Sequence, residues 1–424
     1  MRDLGIKGAT YNPLDFIVKD SPTAVDDCTS LANALVVTKP NEMSQDPHWN
    51  ASAEGGIAGL IALTVYYGQK HTRSLQAVDN IANSPEALGN ALKIMGEPND
   101  SGVYPWDGML SRLGGRMRLW QGDEKASVLS CISRHLAFLR TPACAAITRT
   151  SSFDPSRLVK GKMTVYIVPS LEYGSTMIGW VRMVIAGMLK AVMRGGLQEK
   201  NKVHFIFDEA AKLGPMEAVR TALDAGAGYG VRCQFYYQSV GQLNQCWPNG
   251  ESQSLLGQTA QIYFGVKDIE TATQVSNVIG DATVYTSSGG WNEGGSSSQT
   301  QGQGRSSTHG SSWSNTDNWS VMARKLLKPE EILRLHPRTA ITFPGGGMPA
   351  VVTTLLRWYE EPWLTNMPGW VSKQKAAAKT LWRSAVALIV ALSLAVVLTA
   401  FAQENGAFTR FGQSMHNFMK GGRR

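Results

Sequence analysis

The sequence predicts an α/β protein with a parallel-sheet core, an all-α domain ahead of most of that sheet, and an apolar helix near the carboxyl end. Three observations carry this prediction. Apolar runs of strand length alternate with helical segments from Lys162 onward, the pattern of a parallel α/β sheet. Thr23 to about Thr150 has apolar residues at helical spacing and no alternating strand. Ser384–Ala402, SAVALIVALSLAVVLTAFA, carries no charge.

Residues 1–22 read as a short strand and a turn, the end of the first part of the core. Residues 23–150 form the helical block, with helices at Ala24–Val37, Ala51–Tyr67, Pro85–Met95 and Val128–Leu139. His48, His71 and His135 lie in this block without metal-ligand spacing. Residues 151–358 return to the sheet. A strand at 163–168 leads to a helix over Ser175–Arg194, whose stripe Met177, Val181, Val184, Met188 and Val192 packs on the core.

Val203–Phe207, VHFIF, reads as a buried strand, and Asp208-Glu209 stand where it ends. Ligands gather outside the carboxyl ends of such strands. In nucleotide hydrolysis Asp208 would hold Mg²⁺ through water, and Glu209 would orient and deprotonate the attacking water. The alternative is a pair that caps a helix beginning near Pro215. Val231–Tyr237 is a second core strand, ending at Gln238-Ser239 before a helix from Val240. Gln238 would then share one sheet edge with Asp208 and Glu209. Its amide can donate to a phosphate oxygen and accept from the attacking water, or simply cap the turn. Arg232, at the start of that strand, suits a neighbouring subunit's γ-phosphate, an ion pair or a DNA contact.

Gln261–Val266 is a further strand, followed by a helix over Asp268–Val278 with Asp268 as N-cap. Residues 286–320 are nearly all Ser, Gly, Gln, Asn and Thr, with Trp291, Trp313 and Trp319 interspersed, and read as a flexible insertion whose tryptophans offer faces for stacking on bases. A short helix at Lys328–Leu335 precedes strands at Arg338–Phe343 and Ala350–Leu356. Residues 359–383 form a basic linker, 384–402 the span and 403–424 a tail. Nineteen residues of helix measure about 28 Å against a hydrocarbon core of about 30 Å, so a membrane span is favoured over a buried core helix. Lys373, Lys375, Lys379 and Arg383 crowd its amino-terminal side.

Composition sets outer bounds. The 424 residues suffice for two or three domains, and 43% are hydrophobic. A net charge of +8, from 41 basic against 33 acidic residues, suits nucleic acid or anionic lipid without demonstrating either. The five cysteines have no CxxC spacing, so neither a disulfide framework nor a zinc site is indicated. The opening stretch MRDLGIKGATYNPLD has no apolar signal-peptide region.

FIFDEAAKLGPM, AGYGVR and YYQSVGQL resemble the Walker B and glutamine motifs of the type IV secretion coupling proteins, the VirD/TraG-type conjugation ATPases. Tyr11-Asn12-Pro13-Leu14, Trp49 in DPHWNASA, Phe153-Asp154-Pro155 through Pro169, and LLKPEEILRL at 326–335 extend the resemblance over roughly residues 6–358. It implies a RecA-like P-loop NTPase core, partial in this chain, with ATP and Mg²⁺ as ligands. Asp208 would contact the Mg²⁺, and Glu209, Gln238 and Arg232 would serve hydrolysis. The implied partners are DNA with relaxase or effector proteins, other secretion components, the bacterial inner membrane, and further copies in a hexamer, with the ATPase body cytoplasmic. FtsK- or HerA-like translocases are a second motor reading, opposed by the helical insertion and by the Asn12-Pro13-Leu14 and 326–335 segments. A P-loop needs Gly-x-x-x-x-Gly-Lys-Ser/Thr, and this chain has none; Lys160-Gly161-Lys162-Met163-Thr164 lacks the spacing. The chain therefore reads as the carboxyl-terminal part of a coupling protein, and a non-hydrolysing docking protein of the same fold is the competing expectation.

Overall fold

The computed structural model describes residues 8–37, 47–161, 163–169, 172, 174, 176–300, 306–357, 359 and 360. It divides into two compact units, Met1–Gly257 and Gln258–Arg424.

In the first unit the helical block forms as expected, from α1 (Ala24–Leu35) and α2 (Pro47–Tyr67) through α3 (Leu75–Asn83), α4 (Pro85–Gly96), α5 (Met109–Arg118) and α6 (Gly122–Leu136) to α7 (Pro142–Thr148). The boundaries have local causes. Ser84 caps α4 by accepting from the Ala87 N–H at 3.2 Å, with Pro85 in the first turn. Thr141 and Pro142 do the same for α7. Helix α2 sits at the centre, with Ile57, Leu60 and Ile61 fully buried. Burial of its apolar residues against α1, α3, α5 and α6 stabilises the block.

The expected strand before residue 22 is absent among the described residues. Asn12 instead caps a 3₁₀ helix, Pro13–Phe16, and its buried amide donates to the Arg73 carbonyl at 2.8 Å. The Tyr11 N–H donates to Ile147 at 2.8 Å, and the Ser152 N–H to Thr10 at 3.0 Å, so the two ends of the helical block meet here. The Tyr11 ring stacks between Phe16 and Phe153, at 5.4 and 5.9 Å. Its hydroxyl lies where a Cβ on Gly187 would stand only 1.9 Å away, so only glycine fits there.

Helix α8 (Ile178–Arg194) packs its apolar face into the core as predicted and grips α1. The buried carboxylate of Asp27 in α1 takes Lys190 at 2.6 Å and also pairs with Arg194. β1 (Val203–Phe207) and β2 (Val231–Phe235) run parallel, with Val203 opposite Val231 and Phe207 opposite Phe235. Between them lies α9 (Glu217–Ala225), and α10 (Val240–Cys246) and α11 (Glu251–Gln258) follow. The strand expected at 163–168 is not formed. Residues 163–169 alternate half-buried and exposed, as a strand would, but no described strand supplies a hydrogen-bonding ladder.

In the second unit, β3 (Gln261–Phe264) corrects the expectation of one parallel sheet. It pairs antiparallel with β6 (Thr339–Phe343), which pairs antiparallel with β7 (Val351–Thr354). Helices α12 (Ile269–Ile279), capped by Asp268 as predicted, and α13 (Pro329–Leu333) contribute Ala272, Val275 and Ile332 to a core with Ile341. The insertion at 286–320 is also corrected. β4 (Asp281–Thr300) and β5 (Ser306–Lys325) form a two-stranded antiparallel ribbon that continues through twenty register pairs without a bulge. Backbone hydrogen bonds define it, so a composition poor in apolar residues did not reveal it. Tyr285, Trp313 and Trp319 on it are exposed.

The predicted span at 384–402, most of the basic linker and the tail lie outside the described residues. Among the described residues no helix is long and apolar enough to cross a membrane.

Candidate functional site

The carboxyl ends of β1 and β2 are joined beyond the last register pair. The Tyr236 N–H donates to the Phe207 carbonyl at 3.1 Å, and the Ala210 N–H donates to the Tyr236 carbonyl at 3.0 Å. Asp208 and Glu209 are the two residues enclosed by this bracket, and Gln238 follows Tyr236 by two positions. The sequence expectation that these three share one sheet edge is met by the backbone. Stacking of Phe207 on Phe235 at 4.8 Å holds the strand ends together beneath them.

Asp208 is exposed. Burial first, and the Asp208 charge second, raise the Tyr236 phenol above its ordinary value. Glu209 adopts φ 55°, ψ 50°, the left-handed region that costs a non-glycine residue about 1 kcal/mol or more. It does not cap a helix at Pro215. It opens a 3₁₀ turn, Ala210–Leu213, and its carboxylate pairs with Lys212 of that turn. Cys246 lies under the turn, its Sγ 3.8 and 3.7 Å from the carbonyls of Ala210 and Ala211.

Gln238 is exposed and is not the cap of α10. Ser239 is: its hydroxyl accepts from the Gln242 N–H at 3.2 Å. The Gln242 side chain reaches back, accepting from the Gln238 N–H at 3.0 Å and donating to Gln238 Oε1 at 3.4 Å. Gln242 thus orients Gln238, a role the sequence signalled only by its spacing of four on a capped helix. Arg232 is not brought to this edge within one chain. It lies near the amino end of β2, about 20 Å of strand from Gln238, and donates to the carbonyls of Ala227 and Val231 at 3.0 and 2.7 Å.

One residue essential to this geometry was missed. Arg182 of α8 is 2% exposed and donates to the carbonyls of Leu213 and Pro215, both at 2.7 Å, immediately after the turn that Glu209 opens. The available signal was an arginine set between Val181 and Met183 on the apolar stretch of a helix whose other cations, Lys190 and Arg194, stand in its second half.

A single carboxylate at a strand end suits Mg²⁺, which keeps most of its waters. Among the described residues no group of three His, Cys, Asp or Glu side chains could hold a metal directly. The nest of N–H groups and the lysine of a phosphate-binding loop have no counterpart in the sequence. These residues therefore fit a water-mediated Mg²⁺ contact but do not make a complete nucleotide site.

A model of the family described as "Type IV secretory system Conjugative DNA transfer" matches residues 4–410. The "Probable conjugal transfer protein TraG" of Sinorhizobium fredii is 26% identical over 345 residues, 80% of this chain and 51% of that protein. The "Type IV secretion system-coupling protein VirD4" of Bartonella quintana is 23% identical over 283 residues, 65% of this chain and 43% of that protein. The chain thus spans about half the length of the curated relatives it matches. Among solved structures, "Bacterial conjugative coupling protein TrwBdeltaN70" superposes with a TM-score of 0.59 at 14% identity, covering 82% of this chain and 71% of that one. "Plasmid coupling protein TrwB in complex with ADP and Mg2+" gives a TM-score of 0.56 at 14% identity and the same coverage. At these identities the likeness is one of fold, and the fold is the RecA-like α/β one.

Proposed function

Because the chain belongs to the type IV secretory system conjugative DNA transfer family, we propose that it is the part of a coupling protein that presents hydrolytic groups to ATP held by a phosphate-binding loop outside these 424 residues. The observation that carries this reading is Glu209. It is held in a left-handed conformation at the carboxyl end of β1, bracketed by the β2 backbone that leads to Gln238. Strained residues gather where a side chain must be aimed. Mg²⁺, when bound through water to Asp208, would neutralise phosphate charge. Glu209 would accept the proton of an attacking water, and Gln238, oriented by Gln242, would sense whether the terminal phosphate is present. Arg232 would serve a neighbouring subunit, since its own chain keeps it at the far end of the strand.

In this reading the protein recruits DNA with relaxase, or effector proteins, to a secretion channel. It works as a hexamer at the bacterial inner membrane, with its body in the cytoplasm. The test supplies the missing loop, by fusion or as a second chain. Glu209→Gln should then keep nucleotide affinity and lower hydrolysis by about 10²–10⁴-fold. Equal rates in wild type and Glu209→Gln would refute the assigned base.

A second reading, a docking component that hydrolyses nothing, is favoured by the ion pair of Glu209 with Lys212. A carboxylate engaged by its own neighbour is less free to accept a proton. Lys212→Ala separates the two readings: hydrolysis by the loop-supplied protein that rises or holds supports the motor.

A further inference from the structure

The buried guanidinium of Arg182 makes four hydrogen bonds, all to backbone carbonyls. Nε donates to Ala34 at 3.1 Å and Nη2 to Val36 at 3.3 Å, while Nη1 donates to Leu213 and Pro215, both at 2.7 Å. A guanidinium has five N–H donors, so four are used on carbonyls. Burial lowers its pKa to about 10, which leaves it a cation at neutral pH. An isolated buried charge of this kind is costly unless fixed dipoles replace water.

The carbonyls it holds are not scattered. Ala34 and Val36 lie at the carboxyl end of α1, and Leu213 ends the 3₁₀ turn that Glu209 opens. Both are helix ends where unpaired carbonyls point outward and the helix dipole is negative. The cation is the shared partner of two helix termini, one belonging to the helical block and one to the Glu209 turn. Farther along α8, Lys190 and Arg194 hold Asp27 near the start of α1. Helix α8 therefore grips α1 at both ends, and at one of them the gripping group is also fastened to the turn beside the candidate base.

We infer that Arg182 is a positioning residue that couples the carboxyl end of α1, and so the helical block, to the orientation of the Glu209 turn. A displacement of Ala34 or Val36 moves the guanidinium, and the guanidinium moves Leu213 and Pro215. A substrate or neighbour that shifts the helical block thereby reaches Glu209 through one side chain. The mechanical tie stands apart from the nucleotide chemistry; its meaning for hydrolysis rests on the function proposed above.

A plug that merely fills the core would also destabilise when removed, so the test is a double-mutant cycle read at a distance. Val36→Gly loosens the end of α1 without touching the turn. Amide hydrogen exchange is followed at Ala210, Lys212 and Gly214, whose N–H groups bond Tyr236, Glu209 and Ala211. With Arg182 present, Val36→Gly should speed exchange there about tenfold; in the Arg182→Lys and Arg182→Met backgrounds its effect should fall below about twofold. Lysine keeps the charge but cannot span two pairs of carbonyls, so it completes the cycle if the methionine variant does not fold. The same factor in all backgrounds, or no effect with Arg182 present, would overturn the inference. Glu209→Gln should leave the coupling intact, because the tie is made to backbone. Loss of the proposed base therefore shows in the hydrolysis assay and not in this one.

Discussion

His135 Nδ1 accepts a hydrogen bond from the backbone N–H of Val37 at 3.4 Å, while its Nε2 bonds Asn50 Oδ1 at 3.0 Å. The neutral ring with its proton on Nε2 satisfies both contacts. Burial, then the charges of Arg134 and Arg182, lower its pKa from 6.5 to about 4. Between those values the unfolded chain takes up a proton that the folded chain refuses. The His135 contribution is therefore intact above about pH 6.5 and is lost as pH falls toward 4, by up to about 3 kcal/mol. Urea midpoints at pH 7 and 4.5 should differ more in wild type than in His135→Gln; an equal difference would refute the assignment.

Gly187→Ala should destabilise the first unit by about 1–3 kcal/mol, since its methyl would have to displace the Tyr11 hydroxyl from a packed stack. Thermal unfolding of Gly187→Ala and of the pair Gly187→Ala/Tyr11→Phe tests this. Removing the hydroxyl should restore part of the loss.

Asp27→Ala should cost about 2–4 kcal/mol, because it leaves two cations on α8 facing each other without their shared carboxylate. The figure sits below that for a fully enclosed pair because Lys190 and Arg194 reach solvent. Denaturant titration that finds less than about 1 kcal/mol would show that water replaces the carboxylate without loss.

The 424-residue chain on its own should turn over ATP negligibly, as Asp208 and Glu209 then have no positioned phosphate to act on. Mg²⁺-dependent turnover near about 1 s⁻¹, abolished by Glu209→Gln, would contradict this and reveal another phosphate grip.

Ser384–Ala402 is expected to span the membrane with the body on the cytoplasmic side, because Lys373, Lys375, Lys379 and Arg383 precede it and only Arg410 lies as near after it. Alkaline phosphatase fused after Arg424 should be active and green fluorescent protein dark. The reverse pattern would invert the orientation, and release on carbonate washing would exclude a span.

What the sequence revealed follows from what side chains encode. Phe207 and Phe235 announced two core strands, so the meeting of Asp208, Glu209 and Gln238 at one edge was readable in advance. Asn12-Pro13-Leu14 marked a fixed point, although its form is a capped 3₁₀ turn rather than a strand. The direction of β3 was not readable, because an apolar run fits parallel and antiparallel neighbours alike. Arg182 escaped notice because its partners are carbonyls at 34, 36, 213 and 215, and carbonyls leave no trace in residue identity.

The β4–β5 ribbon has an electrical consequence. Twenty register pairs span about 65 Å of contour, many times the screening distance of about 8 Å in physiological salt. Between 283 and 323 the only charged side chains in the sequence are Glu293, Arg305 and Asp317. These sum to −1, so the remainder of the chain carries +9 toward the net +8, and the distal ribbon is nearly blank to ions. A contact made there would rest on the faces of Trp313 and Trp319 and on backbone groups. Added salt should weaken it little while stripping polyanions from the basic remainder, so ionic strength becomes the dial that tells the two surfaces apart.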